Sequence, residues 1–186
     1  MTIATFDITL LDIAAESIRH GLEHGQPAQP QDYPAALDRH GACFVTLHSS
    51  GKLRGCIGSA RAWRPLATDV AVNAFGAAFE DPRFDPVDND ALDALDIDIS
   101  LLGPATPIAV ASEVELAATL RPGRDGAILI DGHRRGLFLP AVWESVPDPA
   151  EFVSHLMDKA GIERWSPRVR AERFETRSVT RPARGR

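Results

Sequence analysis

The chain has 186 residues, of which 44% are apolar and 25% charged, with a formal net charge of −6. That is the profile of an ordinary soluble globule large enough to bury a core of its own, and the acidic balance argues against nucleic acid as an obligate partner. No apolar run approaches the roughly 18–20 residues of a membrane span and no basic-then-apolar leader opens the chain, so a cytoplasmic protein is expected.

In chain order, Ile8, Leu11, Ala15, Ile18 and Leu22 recur at steps of three and four, which predicts an amphipathic helix ending near Gly25. Residues 26–34, QPAQPQDYP, form a proline-rich connection short of backbone donors. ACFVTLH and LRGCIG then flank Ser50-Gly51 and predict a hairpin. A helix follows from Pro65 to about Glu80, with a small-residue face of Leu66, Val70, Ala74, Ala77 and Ala78, and DPRFDP ends it. IDISLL alternates as a half-buried strand, and residues 113–120 read as a helix. GAILIDGHRRGLFLP predicts a second hairpin turning near Gly132-His133. Asp148, Pro149 and Glu151 open a helix that Gly161 closes, and AERFETRSV reads as one closing strand. With no β-α-β rhythm, the expected fold class is α+β, with antiparallel pairing in sheet and hairpins and packed helices. No linker is evident, so a single domain over 1–186 is expected, its core at about 8–179. The arginines from Arg168 to Arg186 read as a solvated basic stretch, with a disordered tail at about 180–186.

Two cysteines, Cys43 and Cys56, without C-x-x-C or a Cys/His finger spacing make neither a disulfide framework nor a zinc finger. HGLEH (His20 to His24) matches an H-x-x-E-H pattern, but it sits at a fraying helix end without a third ligand, so no metal is expected. The phosphate-binding glycine loops, the G-x-S-x-G elbow and the dinucleotide fingerprint are absent, so no cofactor is expected.

What remains is LRGCIGS, residues 53–59. A two-residue turn at Ser50-Gly51 pairs Cys56 with Val45 and Cys43 with Gly58. The two cysteines are then diagonal neighbours at about 7–8 Å, too far for a disulfide. This register puts Arg54, Cys56 and Gly58 on one face and turns His48 away. Arg54 would favour a thiolate, and Gly55 and Gly58 would leave backbone N–H groups open to a ligand. The bland alternative is a small buried cysteine beside a glycine bulge. His155, with Lys159 one helical turn on, is a distant candidate base. Asp81 and Arg83 flank Pro82, either as a clamp at the chain reversal or, with Asp81 or Glu80, as a group that orients Arg54.

LRGCIGS, NAFGAAFEDPRF, IDISLL, DGAILIDGHRRGLFLP and EFVSHLMDKAG, in that order, resemble the AMMECR-type domain family, whose bacterial members belong to the AmmeMemoRadiSam system. The resemblance implies two unequal lobes with a cleft between them and the LRGCIG motif at that cleft. It also implies an association with a Memo-type protein and a radical-SAM enzyme, without a defined reaction. The chain departs from the family at Ala141, where glutamine is common, and at Met157, where cysteine is common. Two readings stay open. In one, Cys56 is a nucleophile or redox thiol in a site with Arg54, Gly55 and Gly58, acting on a small anionic or carbonyl ligand or on a modified residue of a partner. In the other, the motif is structural and the protein is a non-catalytic adaptor.

Overall fold

The computed structural model describes residues 2–89 and 92–183. It divides into two compact units, Met1–Leu102 with Arg177–Arg186, and Gly103–Thr176.

The first unit packs two helices on one face of a four-stranded sheet. Helix α1 (Ile3–His24) ends at Gly25 in the left-handed region, φ 68°, as the glycine predicted. A two-stranded bridge joins β1 (His40–Gly41) to β4 (Arg64–Pro65). Strands β2 (Cys43–Ser49) and β3 (Lys52–Gly58) form the expected hairpin. Its turn residues Ser50 and Gly51 both have positive φ, 52° and 76°, the combination of a primed turn. Helix α2 (Leu66–Phe79) starts one residue later than predicted, because Pro65 is spent on the bridge to His40. Strand β5 (Leu95–Leu102) pairs antiparallel with β2, and with β10 (Thr176–Arg181) the sheet order is β10-β5-β2-β3. Its core face is the alternating set Cys43, Val45, Leu47, Ile97 and Ile99, closed by Leu10, Ile18 and Val70 from the helices.

The second unit carries β6 (Thr106–Ile108), α3 (Glu113–Thr119), β7 (Gly126–Asp131), β8 (Arg134–Phe138), α4 (Pro149–Ala160) and β9 (Arg170–Phe174), with sheet order β6-β9-β7-β8. Asp148 caps α4, its carboxylate accepting from the N–H groups of Ala150 and Glu151, and Gly161 closes the helix at φ 69°. Trp143 stacks on Phe152 with ring centroids 3.7 Å apart, and its indole N–H donates to the Asp125 carbonyl. Met157 is part of this core, whereas Ala141 is exposed.

Two expectations are corrected. AERFETRSV is not one strand: β9 belongs to the second unit and β10 (Thr176–Arg181) to the first. Glu175 separates them, its carbonyl accepting from Gly103 N–H and its carboxylate from Arg121 and Arg124. Arg177 is solvent-exposed as expected, but the described arginines that follow Glu175 are paired and held in a strand. Arg177 pairs with Asp7 and Arg181 with Asp12, so α1 supplies the counter-charges, and β10 extends through Arg181. Pro182 and Ala183 follow it, and the rest of the expected tail, 184–186, lies outside the described residues.

Candidate functional site

Gly55 sets the geometry of LRGCIGS. A Cβ at this position would lie 1.8 Å from the carbonyl oxygen of Ala77 on α2. The glycine is required by the close approach of helix to strand, which Gly76 and Ala77 allow from the other side. Gly58 has a comparable constraint: a Cβ there would meet the Phe44 ring at 2.2 Å.

The register contains a bulge. Ser49 and His48 face Lys52 and Leu53 as the turn predicts, but beyond them Leu47 faces Gly55, Thr46 faces Cys56 and Phe44 faces Gly58. Arg54 is the extra residue, and a shift of one place exchanges the faces of the strand. Cys56 therefore lies opposite Thr46, whose hydroxyl donates to its sulfur at 3.3 Å. This face is the one turned away from α2. Cys43 lies on the core face, so the two cysteines occupy opposite sides of the sheet and both are free thiols. His48, which the simpler register turned away, stands on the same face as Cys56, two positions along from Thr46. Leu53 shares that face also.

Of the two roles considered for Asp81, the clamp with Arg83 is the one present, and Arg54 is not its partner. Asp81 is 5% exposed. Its Oδ2 accepts from the backbone N–H of Cys56 at 2.9 Å and from Arg83 Nη2 at 2.7 Å, while Oδ1 accepts from Arg83 Nε at 2.9 Å. Arg83 Nη2 also reaches the Cys56 carbonyl at 3.5 Å. Strand β3 is an edge of its sheet, and the Asp81–Arg83 pair occupies both edge-facing backbone groups of Cys56 as a neighbouring strand would. Arg54 extends along the same segment and donates to the Asp85 carbonyl at 3.3 Å. Among the described residues it has no carboxylate partner.

The Arg83 guanidinium holds the Asp81 carboxyl well below the usual carboxylate range; burial opposes this, and the Cys56 N–H reinforces it. Because the folded-state value is depressed, this stabilisation is complete above the unfolded carboxylate's range, near pH 4, and is lost as pH falls through the folded value. Asp81→Asn should cost about 1–2 kcal/mol at pH 7. In urea titrations from pH 7 to pH 2 the gap between wild type and variant should narrow steadily below about pH 4. A gap independent of pH would refute the assignment.

The sequence reading missed a second buried carboxylate, Asp69 on α2. It is fully buried, with Oδ2 accepting from Cys43 N–H at 2.9 Å and Oδ1 from Ser59 Oγ at 2.6 Å and Arg64 Nε at 2.7 Å. Asn73, one turn on, donates to the Cys43 carbonyl at 3.0 Å and to Asp69 Oδ2 at 3.0 Å. The available signal was Asp69 and Asn73 four apart in an otherwise apolar, alanine-rich helix: two polar residues on a face that must be buried call for internal partners. Burial, then the nearby Asp69 carboxylate, pushes the Cys43 thiol well above its ordinary value. Together Asp69 and Asp81 hold the backbones of both cysteines.

His155 and Lys159 belong to the second unit. Both lie on the exposed side of α4, with the Lys159 ammonium 5.0 Å from the centre of the Phe138 ring. At the end of α1, His20 bonds through Nδ1 to the Gln26 carbonyl and stacks obliquely on His24. Gly21 does more than weaken that helix. A Cβ there would strike Phe79 and Phe75, so it is where α1 and α2 cross. No described helix is long and apolar enough to cross a membrane.

Fold and site define an α+β protein whose LRGCIG cysteine sits in an edge strand clamped by an aspartate–arginine pair. The AMMECR1 family model matches residues 11–179, and the chain belongs to that family. It is 37% identical over 172 residues to a protein of Methanothermobacter thermautotrophicus, covering 90% of each chain. It is also 37% identical over 165 residues to a protein of Thermotoga maritima, covering 87% of this chain and 91% of that one. The crystal structure of the uncharacterized protein PH0010 from Pyrococcus horikoshii superposes with a TM-score of 0.81 at 30% identity, covering 91% of this chain and 88% of that chain.

Proposed function

We propose that the face of β3 carrying Cys56 binds, and acts through its thiol on, a small anionic or carbonyl-bearing ligand or a modified residue of a partner. The observation that supports this is the combination of a partly exposed thiol on a fixed backbone with an arginine two residues away that has no carboxylate partner among the described residues. Arg54 would supply the charge that holds the ligand. Asp81 and Arg83 are positioning residues that fix the Cys56 backbone. The Cys56 N–H is spent on Asp81 and cannot serve an oxyanion; Gly58 N–H, of the same parity along the edge, can. A pathway shared with a Memo-type protein and a radical-SAM enzyme is the context that the resemblance suggests for such a thiol.

The test is alkylation of the native protein by iodoacetamide, followed by peptide mass spectrometry. Cys56 should react, and Cys43, buried with a raised pKa, should react on the order of a hundredfold more slowly. Pyruvate, phosphoenolpyruvate or inorganic phosphate should protect Cys56, and Arg54→Gln should abolish that protection. Equal reactivity of the two thiols, or no protection by any of the three, would count against the proposal.

A second reading has its own support, since the demands on Gly55 and Gly58 are met by packing alone. In it the motif is structural and the protein is an adaptor. Cys56→Ala separates the two. Loss of cellular function with stability and partner binding intact supports the thiol chemistry, whereas retained function supports the adaptor.

A further inference from the structure

The first unit contains a cavity of about 660 Å³ that includes no residue of LRGCIGS. Small-molecule sites commonly span about 300–1,000 Å³. One side is α1, through Asp12, Ile13 and Glu16; another is the proline-rich connection, through residues 28–33. Leu95 and Ile97 supply an apolar floor.

The connection is a built wall. Ser17, fully buried, donates its hydroxyl to the Ala71 carbonyl on α2 and accepts the Ala28 N–H, tying the wall to the helix pair. Tyr33 OH donates to Asp38, and Pro30 and Pro34 restrict the chain between these anchors. A wall held in this way need not be ordered by a ligand, which lowers the cost of binding.

The lining is unevenly charged. Four carboxylates, Asp12, Glu16, Asp32 and Asp93, face two guanidinium groups. Arg181 pairs with Asp12 and Arg19 with Glu16. Asp32 and Asp93, on separate segments of the lining, have neither an ion pair nor a hydrogen bond among the described residues, although arginines satisfy the carboxylates beside them. An apolar floor below two uncompensated carboxylates matches a cation carried on a hydrocarbon body. We infer that this cavity is a binding site for a small organic cation, an amine or guanidine on an alkyl chain.

The probes are agmatine, with 1,4-butanediol as the uncharged analogue and sodium chloride at matched ionic strength. Binding is followed by calorimetry and by amide chemical shifts of the full chain. Agmatine should bind saturably and shift amides at 12–16, 28–29, 31–33 and 93–97, while the diol and the salt should not. Asp32→Asn with Asp93→Asn should weaken binding roughly fivefold or more. Asparagine tolerates the left-handed backbone of residue 32, φ 54°, so the variant should keep its circular dichroism spectrum. If it does not fold, the location of the wild-type shifts decides. The inference is overturned by unsaturable binding, by an equal response to salt, by shifts located elsewhere, or by undiminished affinity in the folded double variant.

Discussion

Asp69→Ala should be the most damaging single change in the first unit, lowering stability by about 3–5 kcal/mol in urea or thermal unfolding. The carboxylate is fully buried, and four donors converge on it: Cys43 N–H, Ser59 O–H, Arg64 Nε–H and the Asn73 amide. Alanine removes every acceptor at once and leaves the Arg64 guanidinium, 15% exposed, without its counter-charge. A buried cation without a partner costs more than the original ion pair contributes. Asp69→Asn keeps an oxygen in place and should cost distinctly less. Because Asp69 also holds the Cys43 backbone, alkylation of Cys43 should accelerate in the alanine variant. Unfolding of Asp69→Ala at the wild-type urea midpoint would show that the network contributes little.

Gly55→Ala should cost about 3 kcal/mol, the upper end of what overpacking costs. The added methyl would collide with backbone: the Ala77 oxygen at 1.8 Å and its carbonyl carbon at 2.8 Å. No rotamer change relieves such a clash, and trimming Ala77 to glycine would not help, since the obstacle is not its side chain. Helix α2 must move away from β3. The segment after α2 carries Asp81, so the clamp on Cys56 should loosen with it and Cys56 should alkylate at a changed rate. Gly51→Ala is the control. That glycine has φ 76° and nothing within 4 Å, so only its conformation is strained, at a cost of about 1 kcal/mol. Similar losses at both positions would mean that helix–strand contact is not what Gly55 serves.

The readings that succeeded rest on local physics. The helix end at Gly25, the capped start at Asp148, the primed turn at Ser50-Gly51 and the alternation of β5 each depend on residues within a few places of one another, and short-range sterics and hydrogen bonds decide them. The closing segment shows where this stops. The propensity of AERFETRSV for strand is genuine, but which sheet each half joins is decided by partner strands distant in sequence, β7 for β9 and β5 for β10.

The candidate site divides along the same line. From the residues alone came LRGCIGS as the place of interest and Asp81 with Arg83 as a linked pair. Only the tertiary structure decided what these residues do. One bulged residue, Arg54, moved His48 and Leu53 onto the face of Cys56, because a strand's side chains alternate and a single insertion inverts everything beyond it. Asp81 found the Cys56 amide because β3 is an edge, a property of the sheet order and not of the strand. Asp69 became the anchor of Cys43 because α2 lies across the hairpin. The need for glycine at position 55 follows from the same crossing, since the distance between two elements is set by what packs between them.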